Sequence, residues 1–171
     1  MNSNQLNDNE FAPFYRNYIK NLGSVNLYEI LTNSLDEMLT TLQNLPEDKL
    51  LYSYAEGKWT IKELVQHIID AERVFCYRAL RFSRNDATNL PGFNEDWYVE
   101  NSNGNDRDFN DLLNEFVLVR NSTISLFNSF TSKMLTLKGA INNSDMSVRA
   151  LGFIIAGHQT HHLKIIKEKY L

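Results

Sequence analysis

Residues 147–171, SVRALGFIIAGHQTHHLKIIKEKYL, decide the fold. Val148, Leu151, Ile155, His158, His162 and Ile165 fall at spacings of three and four, the seam of a helix packed in a bundle. His158 and His162 therefore stand where the pattern calls for leucine or isoleucine. Residues four apart lie one turn above each other on one helix face, so both imidazoles can reach a single point. Two imidazoles turned toward a core are costly unless their nitrogens find partners, and a metal ion is the usual partner of such a pair. His161 adjoins the pair but lies off the seam, beside Ala150, Ile154 and Gly157, and reads as a neighbour of the site rather than a ligand.

The third ligand comes from residues 60–84, TIKELVQHIIDAERVFCYRALRFSR. Apolar residues at 61, 64, 68, 71, 75, 79 and 82 again have helical spacing. Thr60 and Glu63 form a T-x-x-E capping box, which starts the helix just after Trp59. His67 lies at the edge of the apolar arc, where it faces a neighbouring helix. Of four histidines in the chain, this reading brings three together.

Two further helices complete the pattern, over 25–45, where Pro46 stops the run, and from about Phe109 to Phe130. The stretch 131–146, with Gly139, Asn142, Asn143 and Ser144, reads as a turn. These elements predict an all-α four-helix bundle in one domain over residues 1–171, with 1–24 as an N-terminal extension packed on it.

The connection 85–107 is too long for a hairpin between helices two and three. At up to roughly 3.3 Å per residue it can run back along the whole of helix two, which spans roughly 37 Å. Helices two and three can then lie parallel, in an up-down-down-up bundle with helix two antiparallel to helix four. The histidines agree. His67 lies seven residues after Thr60, and His158 and His162 lie 13 and 9 residues before Leu171, so an antiparallel pair puts all three at one height. A parallel pair would separate them by roughly 9 Å.

Composition narrows the function. Hydrophobic content of 43% and charged content of 22% are those of an ordinary soluble protein. A net charge of −4, with no basic stripe, argues against a nucleic-acid partner. No apolar run approaches the roughly 20 residues that span a bilayer, and the N-terminus lacks the pattern of a signal peptide. The lone Cys76 gives no disulfide framework, fits a reducing cytoplasm and reads as buried filler.

Three imidazoles without a carboxylate suit zinc or nickel, with iron or manganese as further candidates, and leave positions open to water or substrate. Such an ion makes a bound water or thiol a nucleophile near pH 7. No H-E-x-x-H occurs, so a zincin protease is not indicated. Among the acids, Glu63 and Asp70 read as cap and solvated charge. Glu72 lies inside the apolar arc and is the one candidate catalytic residue, as a base behind the metal ligands; an ion pair with Arg73, Arg78 or Arg149 explains it equally well. Gly152 and Gly157 each cost a helix about 1 kcal/mol relative to alanine, which close helix approach would offset. Phe93, Trp97 and Tyr98 form either a lid over the site or, as the preferred reading, a patch sealing the bundle.

The segments YAEGKWTIKELVQHIIDAERVFCYRALRF (54–82), LPGFNEDWYVENSN (90–103), SVRALGFIIAGHQTHHLKIIKEKYL (147–171) and FAPFYRNYIK (11–20) together resemble the DinB/YfiT-like superfamily of bacterial four-helix metal proteins. The resemblance extends over nearly the whole chain. It implies a divalent metal on His67, His158 and His162, the same up-down-down-up bundle, and a homodimer. Relatives include thiol S-transferases that use bacillithiol or mycothiol, a thiol-dependent maleylpyruvate isomerase, metal-dependent hydrolases and proteins linked to DNA-damage induction. The first expectation is therefore a metal-dependent transferase joining a low-molecular-weight thiol cosubstrate to an electrophilic small molecule. The alternatives are a hydrolase using metal-bound hydroxide and a non-catalytic metal-binding stress protein.

Overall fold

Asn26, Thr60, Asp108 and Ser147 each accept a backbone N–H of the turn that follows, and so fix where the four long helices begin. In the computed structural model, which describes residues 1–171, the elements are α1 (Arg16–Asn21), α2 (Leu27–Gln43), α3 (Ile61–Ser83), α4 (Glu95–Glu100), α5 (Phe109–Asn128), α6 (Ser132–Thr136), β1 (Lys138–Ile141), β2 (Ser144–Ser147) and α7 (Val148–Ile165). A π turn over Ile166–Tyr170 ends the chain, so the last α-helix stops short of residue 171.

Side-chain pairs give the direction of each helix. Arg107 bonds Gln66, Arg73 pairs with Glu115 and Cys76 meets Thr123, so α3 and α5 ascend together. Gly152 faces Leu27, Gln159 bonds Ser34 and Lys167 bonds Glu37, so α2 and α7 are also parallel. Trp59 meets Tyr170 at one end while His67 meets His158 further along, which makes α3 and α7 antiparallel. The bundle is up-down-down-up, as the long connection and the histidine heights predict.

The connection between α3 and α5 is not featureless. It carries α4, packed on α3, and returns to the start of α3, where the Thr60 hydroxyl donates to Asn105 Oδ1 at 2.6 Å and Lys62 Nζ to the Asn105 carbonyl at 3.1 Å. The stretch read as a turn holds α6 and an antiparallel hairpin, β1–β2, with Lys138 opposite Ser147 and Ile141 opposite Ser144. Asn142 and Asn143 close it at φ 48° and 63°, the left-handed pair a two-residue hairpin turn requires.

Helix α7 is buried nearly all round, from Ala150 to Gln159 without a break, because α1, α2 and α3 all pack on it. It is the central helix, and this explains an apolar content wider than one stripe. Its two glycines mark close approaches: a Cβ on Gly152 would lie 2.7 Å from the Phe127 ring. The N-terminal segment lies against the bundle through Phe11 and Ile19, both in the core, and through Glu10, which pairs with Arg149. No helix is long and apolar enough to cross a membrane.

Candidate metal centre

The capping box forms as the sequence predicts. Thr60 Oγ1 accepts from the Glu63 amide at 3.1 Å, and Glu63 Oε2 accepts from the Thr60 amide at 2.8 Å. It fixes the register of α3, so His67, in the second turn, points at α7. There Nε2 of His158 lies 2.9 Å from Nε2 of His67 and 3.1 Å from Nε2 of His162. One ligand atom from each of the three lies within 4.8 Å of the others, and all three rings are buried. His161 is outside the cluster, half-buried with its ring 5.2 Å from that of Tyr18.

The donor set fits a divalent ion. Burial lowers the pKa of His67 to about 4. Burial, then the neighbouring imidazoles, holds His158 and His162 well below the ordinary value. The three rings are therefore neutral near pH 7, each with one ring nitrogen bearing a lone pair. Hydrogen bonds among three converging Nε2 atoms cannot satisfy all of them, because each neutral ring has a single proton. One cation can accept all three lone pairs. With Nε2 bound, His162 would carry its proton on Nδ1, a buried atom that has no hydrogen-bond partner.

Glu72 has a different role from the one the sequence suggests. Its partner is Arg120 of α5, not Arg73, Arg78 or Arg149. Arg120 Nε and Nη2 each donate to one Glu72 oxygen at 2.8 Å, and Thr123 adds a third bond at 2.6 Å. Arg120 also donates to the Leu31 carbonyl and to Ser34, so the network ties α2, α3 and α5 together. Both carboxylate oxygens are occupied and the group lines neither cleft at the histidines. Arg73 pairs with Glu115, and Arg149 with Glu10. Cys76 is half-buried, and burial pushes its thiol up to about 12, which leaves it inert as expected.

Apart from Phe93, the access to the histidines comes from residues the sequence reading did not single out. Trp59, just before the cap, lies 4.6 Å from His67 between ring centres. On one side of it a cleft of about 130 Å³ is walled by Tyr15, Tyr18, Phe75, Phe93 and Glu95 and reaches all three histidines. On the other side a cleft of about 210 Å³, with Tyr54, Lys58, Asp96 and Tyr170, reaches His162. Of the expected aromatic patch, Phe93 alone lines a cleft at the histidines; Trp97, 58% exposed, and Tyr98 line a separate surface cleft with Gln66 and Arg107. Tyr18 comes from α1, held at His158 because Gly157 admits its backbone. A glycine directly before a seam histidine was the available signal for that contact.

YfiT from Bacillus subtilis, described as a probable metal-dependent hydrolase with an unusual four-helix bundle topology, superposes with a TM-score of 0.77 at 14% identity, covering 93% of this chain and 91% of that one. At that identity the likeness concerns the fold alone. A protein of Oceanobacillus iheyensis with the provisional name of metal-dependent hydrolase is 28% identical over 142 residues, 81% of this chain and 79% of its own length. The profile of the DinB superfamily matches residues 30–166, which span α2 through α7 and hold all three clustered histidines, and the chain therefore belongs to the DinB superfamily.

Proposed function

We propose that this chain is a metal-dependent enzyme in which His67, His158 and His162 hold one divalent ion, zinc or nickel first, and that it joins a small thiol to an electrophilic small molecule. Three neutral, converging imidazoles carry the metal reading. The ion, when bound, supplies Lewis acidity that makes a thiol or water nucleophilic near neutral pH. The observation that supports two reactants is the pair of clefts divided by Trp59, both of which reach His162. One can seat the thiol and the other the electrophile. The aromatic walls keep water from the reacting atoms and orient an apolar body. Glu95 in one cleft and Asp96 in the other are the carboxylates available to take the thiol's proton, while the sulfur attacks carbon and the leaving group departs.

Hydrolysis is the second reading, favoured by the descriptions of both relatives, and needs only one cleft and a water. Elemental analysis of untagged protein comes first. About one ion per chain, lost in His67→Ala, His158→Ala and His162→Ala but kept in His161→Ala, is the expected result. A panel of electrophiles is then assayed with and without a small thiol. Thiol-dependent loss of an electrophile supports transfer, and thiol-independent turnover supports hydrolysis. Protein that stays folded yet binds no metal overturns both.

A further inference from the structure

Two buried side-chain atoms have no hydrogen-bond partner: Nδ1 of His162 and Oε1 of Gln159. Buried polar groups are nearly always paired, because an unpaired one has lost its bonds to water with nothing in exchange. These two lie three residues apart on α7. Side chains on a helix lean toward its N-terminus, so the His162 ring lies over the turn that holds residues 158 and 159. It meets His158 there, with ring centres 4.5 Å apart, and Gln159 is its other neighbour on that turn.

Gln159 is fully buried, and Ser34 of α2 orients its amide: Nε2 donates to the Ser34 carbonyl. The reverse orientation would set two carbonyl oxygens against each other, so Oε1 is the end left over. No donor reaches it from α2. Arg120 Nη1, which also comes to Ser34, gives its two protons to the Ser34 hydroxyl and the Leu31 carbonyl.

What can pair the two atoms is the position of one proton. A neutral imidazole carries its proton on a single nitrogen. With the proton on Nε2, Nδ1 is an acceptor and has no bond to make with an oxygen, and none is present. With Nε2 given to a divalent ion, the ring carries its proton on Nδ1, and that atom becomes the donor Gln159 lacks.

We infer that Gln159 is a positioning residue of the metal centre: its Oε1 accepts the Nδ1 proton of His162, fixes the tautomer that presents Nε2 to the ion, and ties that ligand through Ser34 to α2. The inference rests on the proposed function in taking the three histidines as metal ligands. Gln159 lines neither cleft, so it acts through His162 and not on a substrate. Partners of this kind typically change metal affinity by about tenfold to a hundredfold.

The test combines nitrogen-15 NMR of histidine-labelled, zinc-loaded protein with zinc affinity measured against a chromophoric chelator. In wild type, His162 should carry its proton on Nδ1, protected from exchange and close to the Gln159 side-chain amide protons. Gln159→Met keeps the length and removes the acceptor; it should bind zinc about tenfold to a hundredfold more weakly and lose that protection. Gln159→Glu restores an acceptor and should recover most of the affinity. Both variants lose the bond to Ser34, so equal weakness in the two would assign the effect to packing on α2 and overturn the inference. Gln159→Met with wild-type affinity also overturns it. The wild-type spectrum decides even if neither variant folds: a His162 proton on Nε2, or one on Nδ1 that exchanges freely, overturns the inference and leaves the metal site standing. Wild type that takes up no zinc removes the inference and the metal reading together.

Discussion

The backbone carbonyl of Tyr18 occupies the space a side chain at position 157 would need: a Cβ built on Gly157 would lie 2.5 Å from that oxygen. The contact docks α1 on α7 one residue before His158, and it sets the Tyr18 ring 5.7 Å from that histidine. Glycine inside a helix is unfavourable by about 1 kcal/mol relative to alanine, so Gly157→Ala would stabilise an unobstructed helix. Here the clash is with backbone, and overpacking of that kind costs about 1–3 kcal/mol. The expected net result is a lower urea midpoint with α1 displaced, read as faster amide exchange over residues 13–22. A variant more stable than wild type would show that α1 yields freely.

How much of this was legible beforehand depended on the range of the signal. The register of α3 follows from Thr60 and Glu63, three residues apart, and the seam of α7 from spacings of three and four; both are local and both hold. The topology was legible because two independent constraints, the long connection and the histidine heights, had to agree. The partner of Glu72 was not, since Arg120 is 48 residues away on a parallel helix and no spacing rule links them. The hairpin was hidden in strands of four residues, KGAI and SDMS, too short to show an alternation. Its one clue was the Asn142–Asn143 pair. Apart from Phe75 on α3, the cleft walls come from α1, α4 and the segments just before α1, α3 and α4, whose positions depend on packing and not on period.

The Glu72–Arg120 pair predicts an asymmetric mutational response. Glu72→Leu leaves Arg120 buried and unpaired, and breaking a buried pair in this way costs about 3–5 kcal/mol. Removing both charges, Glu72→Leu with Arg120→Met, should recover most of that loss in urea unfolding. Metal content per folded chain should stay at the wild-type level in the double variant, because the network stands apart from both clefts. Loss of metal there would return Glu72 to the site.

Trp59 should report metal binding by fluorescence. The chain has two tryptophans. Trp59 lies 4.6 Å from His67, whereas Trp97 is largely exposed. Titration with Ni²⁺ or Co²⁺ should quench part of the emission, saturating near one equivalent. Trp59→Phe should keep the stoichiometry by elemental analysis and lose the saturable quench. Equal quenching in that variant would place the reporting ion elsewhere.

Acid should unfold the metal-free protein through these histidines. Each imidazole is held neutral in the folded state, His67 down to about 4 and the other two well below the ordinary value, while in the unfolded chain they titrate near 6.5. Unfolding therefore takes up protons once the pH falls below about 6.5, and stability declines from there toward the folded values. Each proton contributes a slope of about 1.4 kcal/mol per pH unit, so three imidazoles acting together make the decline steep. Glu10 is also depressed: burial pushes it up, but bonds from Arg149 and the Asn7 backbone outweigh that and hold it at about 2. Its stabilisation is lost only below the ordinary carboxylate value of 4.5, so a decline between there and 6.5 comes from histidines. Burial also lowers the half-buried His161, and His161→Ala removes that share, while Asp70, which burial raises, works in the opposite direction. Urea midpoints of the metal-free protein at pH 7.5, 6.5, 5.5 and 5 should be level at first and then fall. Saturating Zn²⁺ should hold the midpoint higher and move the fall to lower pH, because the ion competes with protons for the same three nitrogens. A flat profile down to pH 5 would mean that the imidazoles are not held neutral, and the case for a buried three-histidine ligand set would fail.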